Sequence, residues 1–378
     1  MIPALHRMTA CIAVLMLIAL PAWAHKASDS FIYVDPTQAQ VRIDLALRDL
    51  ALVLPLDGNG DGKLSGAEVR KGREAITRLV DQGLTLSNGS GPCQLTGRQW
   101  GVSRHSDGPY AAGRYQVSCP DSQVPESITY SLLFEQDPLH RALVSVTDSQ
   151  SERLGVLAPD DRTMSLGTST GTFSNSLKLF ATFLYEGIIH LLIGLDHILF
   201  LLVLMLPSTL PLKTRRSTQA PRGRDLRNRL LELVGIVTAF TVAHSVTLAL
   251  AALNIVTLPI AWVETVIALS IAVAALNVFW PILGHKTWKL AFGFGLIHGF
   301  GFASVLGDLT SGVSQTVVAL AGFNLGVELG QLMLLVVLFP LLYFCGRFRL
   351  YERAAVPAML LMVGALSLYW VAERATAI

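Results

Sequence analysis

The spacing of apolar positions changes part-way along the chain and divides it in two. Between residues 25 and 172 they recur in short alternating runs, at 31–34, 41–45, 115–117, 128–132 and 142–146. Period-two spacing predicts half-buried strands, and several such runs predict a small β-sandwich. From 180 to 373 apolar residues form long segments at 180–206, 230–253, 258–282, 288–306, 316–344 and 354–373. Each is long enough to cross about 30 Å of hydrocarbon at about 1.5 Å per residue. The pattern predicts an α-helical polytopic membrane domain of six transmembrane helices, preceded by an exported β-rich domain with one EF-hand-like insertion. Between 160 and 176 the chain turns polar and rich in Ser, Thr and Gly, which predicts a linker at 173–179.

The N-terminus explains how the β-rich part is exported. His6 and Arg7 precede an apolar core at 10–20, and Ala22-Trp23-Ala24 is a small-x-small cleavage site, so residues 1–24 read as a signal peptide. Cleavage there makes His25 the first residue, whose amine and imidazole are candidate metal donors. Cys93 and Cys119 are the only cysteines of the exported part and neither lies in a CxxC, so a disulfide is expected. Composition agrees with a membrane protein: 52% of the 378 residues are hydrophobic and only 15% charged. The net charge of +2 carries little information, and the absence of a long Lys/Arg face excludes nucleic acid as a partner. The placement of basic residues matters more. Lys213, Arg215, Arg216, Arg222, Arg224 and Arg227 follow the first span, Lys286, Lys289, Arg347, Arg349 and Arg353 fall on the same side, and the opposite loops at 254–257 and 307–315 have no Lys or Arg. The positive-inside rule makes the basic loops cytoplasmic and puts both the N-terminal domain and the C-terminus outside a bacterial-type inner membrane.

The sharpest motif lies in the exported part. Residues 57–68 read Asp-Gly-Asn-Gly-Asp-Gly-Lys-Leu-Ser-Gly-Ala-Glu. Asp57, Asn59, Asp61, Ser65 and Glu68 occupy the oxygen-ligand positions of an EF-hand loop, Gly62 the invariant turn, and Lys63 the position that donates only a backbone carbonyl. Stretches at 47–56 and 67–80 supply the flanking helices. The expectation is a structural Ca2+ site of weak affinity, in the range of about 0.1–1 mM, because no second hand is present to pair with it.

The membrane segments carry ionisable groups that are costly in hydrocarbon: His190, Asp196, His197, His244, Glu264, His298 and Glu328. Such groups persist when they face a bundle interior and find partners, so they mark an ion or substrate path. Imidazoles with carboxylates suit nickel, cobalt, zinc and copper, whereas oxygen ligands alone would suit calcium or magnesium. On one continuous helix, Glu186, His190, Gly194 and His197 share a face, and Asp196 points elsewhere, free to orient an imidazole as a hydrogen-bond acceptor. Gly295, Gly299, Ala303 and Gly307 form a small-residue ridge beside His298. Asn277, Asn324 and Gln331 complete the polar inventory. Counting along the segments places His244 and Glu264 in the outer half, His190 and His298 near the middle and His197 towards the inside. His244 and His197 should then lie on the order of 10 Å apart in depth. Spread ligands suit a permease that passes the ion along His/Asp/Glu sites. Converged ligands would suit an intramembrane hydrolase with zinc on three histidines, Asp196 or Glu264 as base and Ser245 positioning substrate. A sensor or accessory membrane protein is the remaining class. No ATP-binding motif is present, so transport would be gradient-driven or facilitated.

The segment from His190 to His197, His-Leu-Leu-Ile-Gly-Leu-Asp-His, resembles the H-x5-D-H signature of the HupE/UreJ family of nickel/cobalt permeases. Residues 240–247 are similar to its F-T-x-x-H-S-x-T segment, and His298-Gly299-Phe300-Gly301 to its later histidine-glycine motif. Leu191 stands where many members have proline, and the EF-hand-bearing exported domain marks a longer subgroup. The resemblance covers residues 180–373 and implies His190, Asp196 and His197 as metal-binding residues, with His244 and His298 as further ones. Its implied cargo is Ni2+ or Co2+, with zinc or copper as alternatives, and its surroundings are the lipid bilayer. It names no protein partner.

Overall fold

Strand-forming residues of the N-terminal half pair into two sheets. The computed structural model describes residues 29–61, 64–105, 108–148, 152–167, 172–209, 222–253, 255–256, 258–280, 282, 287–307 and 313–375. The expected signal peptide, His25, Gly62, Lys63, Lys213, Arg215, Arg216 and Lys286 lie outside them. The strands are β1 (Asp29–Asp35), β2 (Gln40–Ala46), β3 (Leu84–Asn88), β4 (Gly91–Pro92), β5 (Gln94–His105), β6 (Gly108–Ser118), β7 (Ser127–Tyr130), β8 (Arg141–Thr147), β9 (Glu152–Leu157) and β10 (Thr163–Ser165). One sheet has the order β5-β6-β2-β1-β8-β9 and the other β10-β7-β3-β4. All expected strands are present; β3, β4, β5, β9 and β10 were not expected. Exposure explains the case of β5, whose sequence QLTGRQWGVSRH leaves most side chains in solvent and so has no apolar alternation to read.

Ile32, Val34, Val41 and Ile43 of the larger sheet and Leu86, Ile128 and Tyr130 of the smaller one share a single core. Helix α1 (Leu47–Val53), α2 (Gly66–Lys71) and α3 (Arg73–Gly83) close it with Leu50, Val69, Ile76 and Val80. Cys93 and Cys119 form the expected disulfide.

The C-terminal half is helical: α4 (Thr172–Ile193), α5 (Leu195–Thr209), α6 (Arg222–Ala252), α7 (Ile260–Phe279), α8 (Thr287–Gly307), α9 (Val313–Cys345) and α10 (Val356–Ala375). Three expectations differ from the structure. The first span, expected unbroken at 180–206, is two helices separated at Gly194. The linker expected at 173–179 lies inside α4, and one boundary between the two compact units of the chain falls at Thr182/Phe183. Among the described residues five helices are long and apolar enough to cross a membrane, where six spans were expected. The short α5 and the 21-residue α8 account for the rest of the expected apolar sequence; beyond Gly301 the side chains of α8 lie outside the described residues.

This half turns apolar side chains outward. Val336 and Val337 on α9 and Leu361 on α10 are exposed by 69%, 67% and 67%, the arrangement of a protein solvated by lipid. Helices in lipid gain little from hydrophobic contact with each other and associate through small residues that let backbones meet. A Cβ on Gly187 would fall 2.2 Å from Phe323 O and one on Gly326 2.1 Å from Leu184 O, so α4 and α9 touch through backbone. The expected ridge on α8 is used in the same way against α6: a Cβ on Gly295 would fall 2.5 Å from Phe240 O, and on Gly299 2.3 Å from His244 O.

Candidate functional site

The break at Gly194 creates the local geometry of the site. A glycine in an apolar helix costs only about 1 kcal/mol relative to alanine and does not itself end the helix. Here the following carboxylate ends it, because Asp196 Oδ1 accepts the His197 amide at 2.9 Å in place of a ladder carbonyl. The same oxygen lies 3.0 Å from His197 Nδ1. A carboxylate in the first turn of α5 also complements the partial positive charge of a helix N-terminus. Gly194 is required beside it, since a Cβ there would fall 2.6 Å from His197 Nδ1 and 3.1 Å from Asp196 Oδ1. Interrupted membrane helices are tolerated where they line a site inside the protein.

Across this break the imidazoles gather. His190 and His197 have ring centroids 5.0 Å apart, and His197 and His298 5.4 Å apart. His190, His244 and His298 all lie within electrostatic range of His197. His197 thus lies beside both His190 and His298, where the sequence had placed it deeper along the helices than either. Phenyl rings flank the imidazoles: Phe200 and Phe240 each lie 5.3 Å from His298, and Phe323 5.3 Å from His190.

His244 and His298 are each supported from a neighbouring helix. His244 Nδ1 lies 3.2 Å from Asn324 Oδ1 on α9. His298 Nε2 lies 3.1 Å from Ser270 Oγ on α7. Glu328 accepts from Thr238 Oγ1 at 3.1 Å, and the carbonyl of Glu264 accepts from Arg374 at 2.9 Å. Ser270, Phe200 and Phe323 were not read from the sequence; one hydroxyl and two phenyl rings in apolar helices carry no chemical signal without their neighbours. Among the described residues, no three His, Cys, Asp or Glu side chains are arranged to hold a metal ion together. The imidazoles are neighbours, but among the described residues no three such donors meet at one point. Ser245, cast as a substrate-positioning hydroxyl in a hydrolase, donates to Thr241 O of its own helix at 2.7 Å.

The HupE / UreJ protein family matches residues 168–374, more than half of the chain. The chain belongs to the HupE/UreJ family. No curated protein matches it in a sequence search. The family match extends from just before α4 almost to the end of α10, so every imidazole described above lies within the HupE/UreJ part of the chain.

Outside the matched region, the 57–68 loop joins α1 to α2. Asp57 Oδ1 accepts the Gly60 amide at 2.7 Å and Asn59 Oδ1 the Asp61 amide at 3.0 Å, two local turns of the loop. Gly60 has φ +72°, a backbone region that side chains with a Cβ rarely adopt. Ser65 caps α2 in a capping box with Glu68, whose carboxylate also accepts the Gly58 amide at 2.9 Å. Hydrogen bonds from the Ser65 amide and hydroxyl, then from Gly58, hold the Glu68 carboxyl below its ordinary pKa. An ionised carboxylate at the last loop position and oxygen-bearing side chains at the first, third and fifth fit a hard divalent cation.

Proposed function

We propose that the helical unit is a permease for a divalent transition metal, nickel or cobalt, and that the ion passes along the imidazoles of His190, His197, His298 and His244. The observation that carries this reading is the run of neighbouring imidazoles across the Gly194 break, inside helices that turn apolar side chains outward. Neutral imidazole nitrogen suits these metals. Rings that are adjacent without converging allow an ion to be held at each stop weakly enough to leave it. The same looseness, together with the engagement of Ser245 in its own helix, speaks against a resident catalytic zinc. Asp196 keeps His197 oriented, the usual arrangement for an imidazole that binds metal through its other nitrogen. The basic loops face the cytoplasm on this reading, and the β-rich unit and C-terminus the outside.

The test is uptake. His190→Ala and His197→Ala are each expected to abolish nickel or cobalt accumulation by cells while the protein remains in the membrane. Wild-type uptake in either variant would refute the permease assignment.

We propose in addition that the 57–68 loop holds Ca2+ through Asp57, Asn59, Asp61, the Lys63 carbonyl, Ser65 and Glu68. The ion would cross-link α1 and α2 and so act as a structural staple, without a part in transport.

A further inference from the structure

The hydrogen bonds around His298 and His244 determine which ring nitrogen of each carries the proton. Ser270 is buried in α7 and has one hydroxyl hydrogen. Its Oγ lies 2.7 Å from Ile267 O, a carbonyl that can only accept, so that hydrogen is committed there. The 3.1 Å contact between Ser270 Oγ and His298 Nε2 must then be donated by the ring, which makes His298 the Nε2–H tautomer. Its other nitrogen, Nδ1, is buried and has no hydrogen-bond partner among the described residues. A second proton on Nδ1 would bury a charge and a donor with nothing to receive it. Nδ1 therefore presents a bare lone pair.

His244 takes the opposite tautomer. Asn324 Nδ2 donates to Leu320 O at 3.0 Å, which fixes the orientation of the amide and turns Oδ1 towards His244 Nδ1. An amide oxygen only accepts, so His244 carries its proton on Nδ1 and leaves Nε2 bare. Asp196 imposes that tautomer on His197 too. An unpartnered buried acceptor costs about 1–3 kcal/mol, and such a group in a folded protein calls for a functional explanation.

We propose that Ser270 and Asn324 are positioning residues: they fix opposite tautomers on His298 and His244 and thereby expose Nδ1 of the one and Nε2 of the other as neutral donors for a borderline divalent cation such as Co2+. This rests on the permease reading for its ligand, but the tautomers are testable without any metal.

The experiment uses full-length protein in lipid nanodiscs with 15N-labelled histidine, and nitrogen–proton correlation spectra that distinguish the two tautomers. Metal-free wild type is expected to show Nε2–H at His298 and Nδ1–H at His244. Ser270→Ala is expected to release the His298 tautomer and to weaken Co2+ binding, read from its visible absorption, by about tenfold or more. Ser270→Thr, which keeps the hydroxyl, should restore both, and Asn324→Ala should release only His244. A wild-type spectrum with Nδ1–H at His298 overturns the proposal and needs no variant to fold. Unchanged tautomers in a folded Ser270→Ala protein overturn it as well. The assigned tautomers without any Co2+ binding by wild type would uphold the positioning role and refute the metal reading instead.

Discussion

At His140 the β-rich domain buries an imidazole completely, with Tyr130 Oη 2.7 Å and Ser30 Oγ 3.1 Å from Nε2. Burial pushes its pKa down to about 4, against the attraction of Asp137. Burial likewise pushes the Tyr130 phenol far above its ordinary range. The sign of the consequence follows from proton counting. Between its folded pKa of about 4 and an unfolded value near 6.5, the unfolded chain binds more protons, so acidification through that window destabilises the fold. From pH 7 to pH 5 the loss is about 2 kcal/mol. Asp44 acts in the same direction at lower pH. Burial alone would raise its pKa, but hydrogen bonds from His105 and Arg42 outweigh that and hold it low, so its contribution is present above the ordinary carboxylate pKa and is lost as pH falls through the lowered value. We expect urea titrations of the full-length protein, read by pulse proteolysis of this domain, to show the loss between pH 7 and pH 5 in wild type. His140→Phe should remove most of it; an equally large drop in that variant would show that another group titrates.

Among the helices, function depends on how closely the backbones approach. Gly299 lets α8 lie against α6 at the level of His244: a Cβ there would fall 2.1 Å from Thr247 Oγ1 and 2.3 Å from the His244 carbonyl. Gly293, two turns earlier on α8, has nothing within 4 Å of the equivalent position. Gly299→Ala must therefore push the helices apart or distort them, at a cost of about 1–3 kcal/mol, and separate the rings of His298 and Phe240 that now lie 5.3 Å apart. The expected outcome is a lower melting temperature in detergent and loss of metal accumulation, with Gly293→Ala close to wild type in both. Equal behaviour of the two variants would mean that the contact has no energetic weight. The break between α4 and α5 is the same kind of effect. One glycine among leucines and isoleucines reads as a tolerated residue inside a span, and the interruption becomes visible only when the Asp196 carboxylate is seen taking the His197 amide.

For the molecule as a whole, the two compact units have different solvents and invite separate tests. The loop at 57–68 belongs to the β-rich unit, and Ca2+ that binds only its folded form should stabilise it by about 1.4 kcal/mol at tenfold excess over Kd. We expect millimolar Ca2+ to raise the unfolding temperature of that unit in the full-length protein, and Asp57→Ala or Glu68→Ala to abolish the rise while metal uptake continues. No shift with Ca2+ in wild type would discard the loop as a cation site. The sequence by itself determined the division into a β-rich and a helical part, the apolar spans, the cysteine pair, the His-x5-Asp-His segment and the glycines that carry α8 against α6, because each is written in local spacing or in residue chemistry. Only the tertiary structure decided that the first span is broken, that the linker is helix, that His190, His197 and His298 are neighbours, and that Ser270 and Asn324 choose the nitrogen each histidine offers. The break rests on a side chain bonding its own backbone, and the last two facts on which groups arrive from other helices; periodicity along one segment records neither.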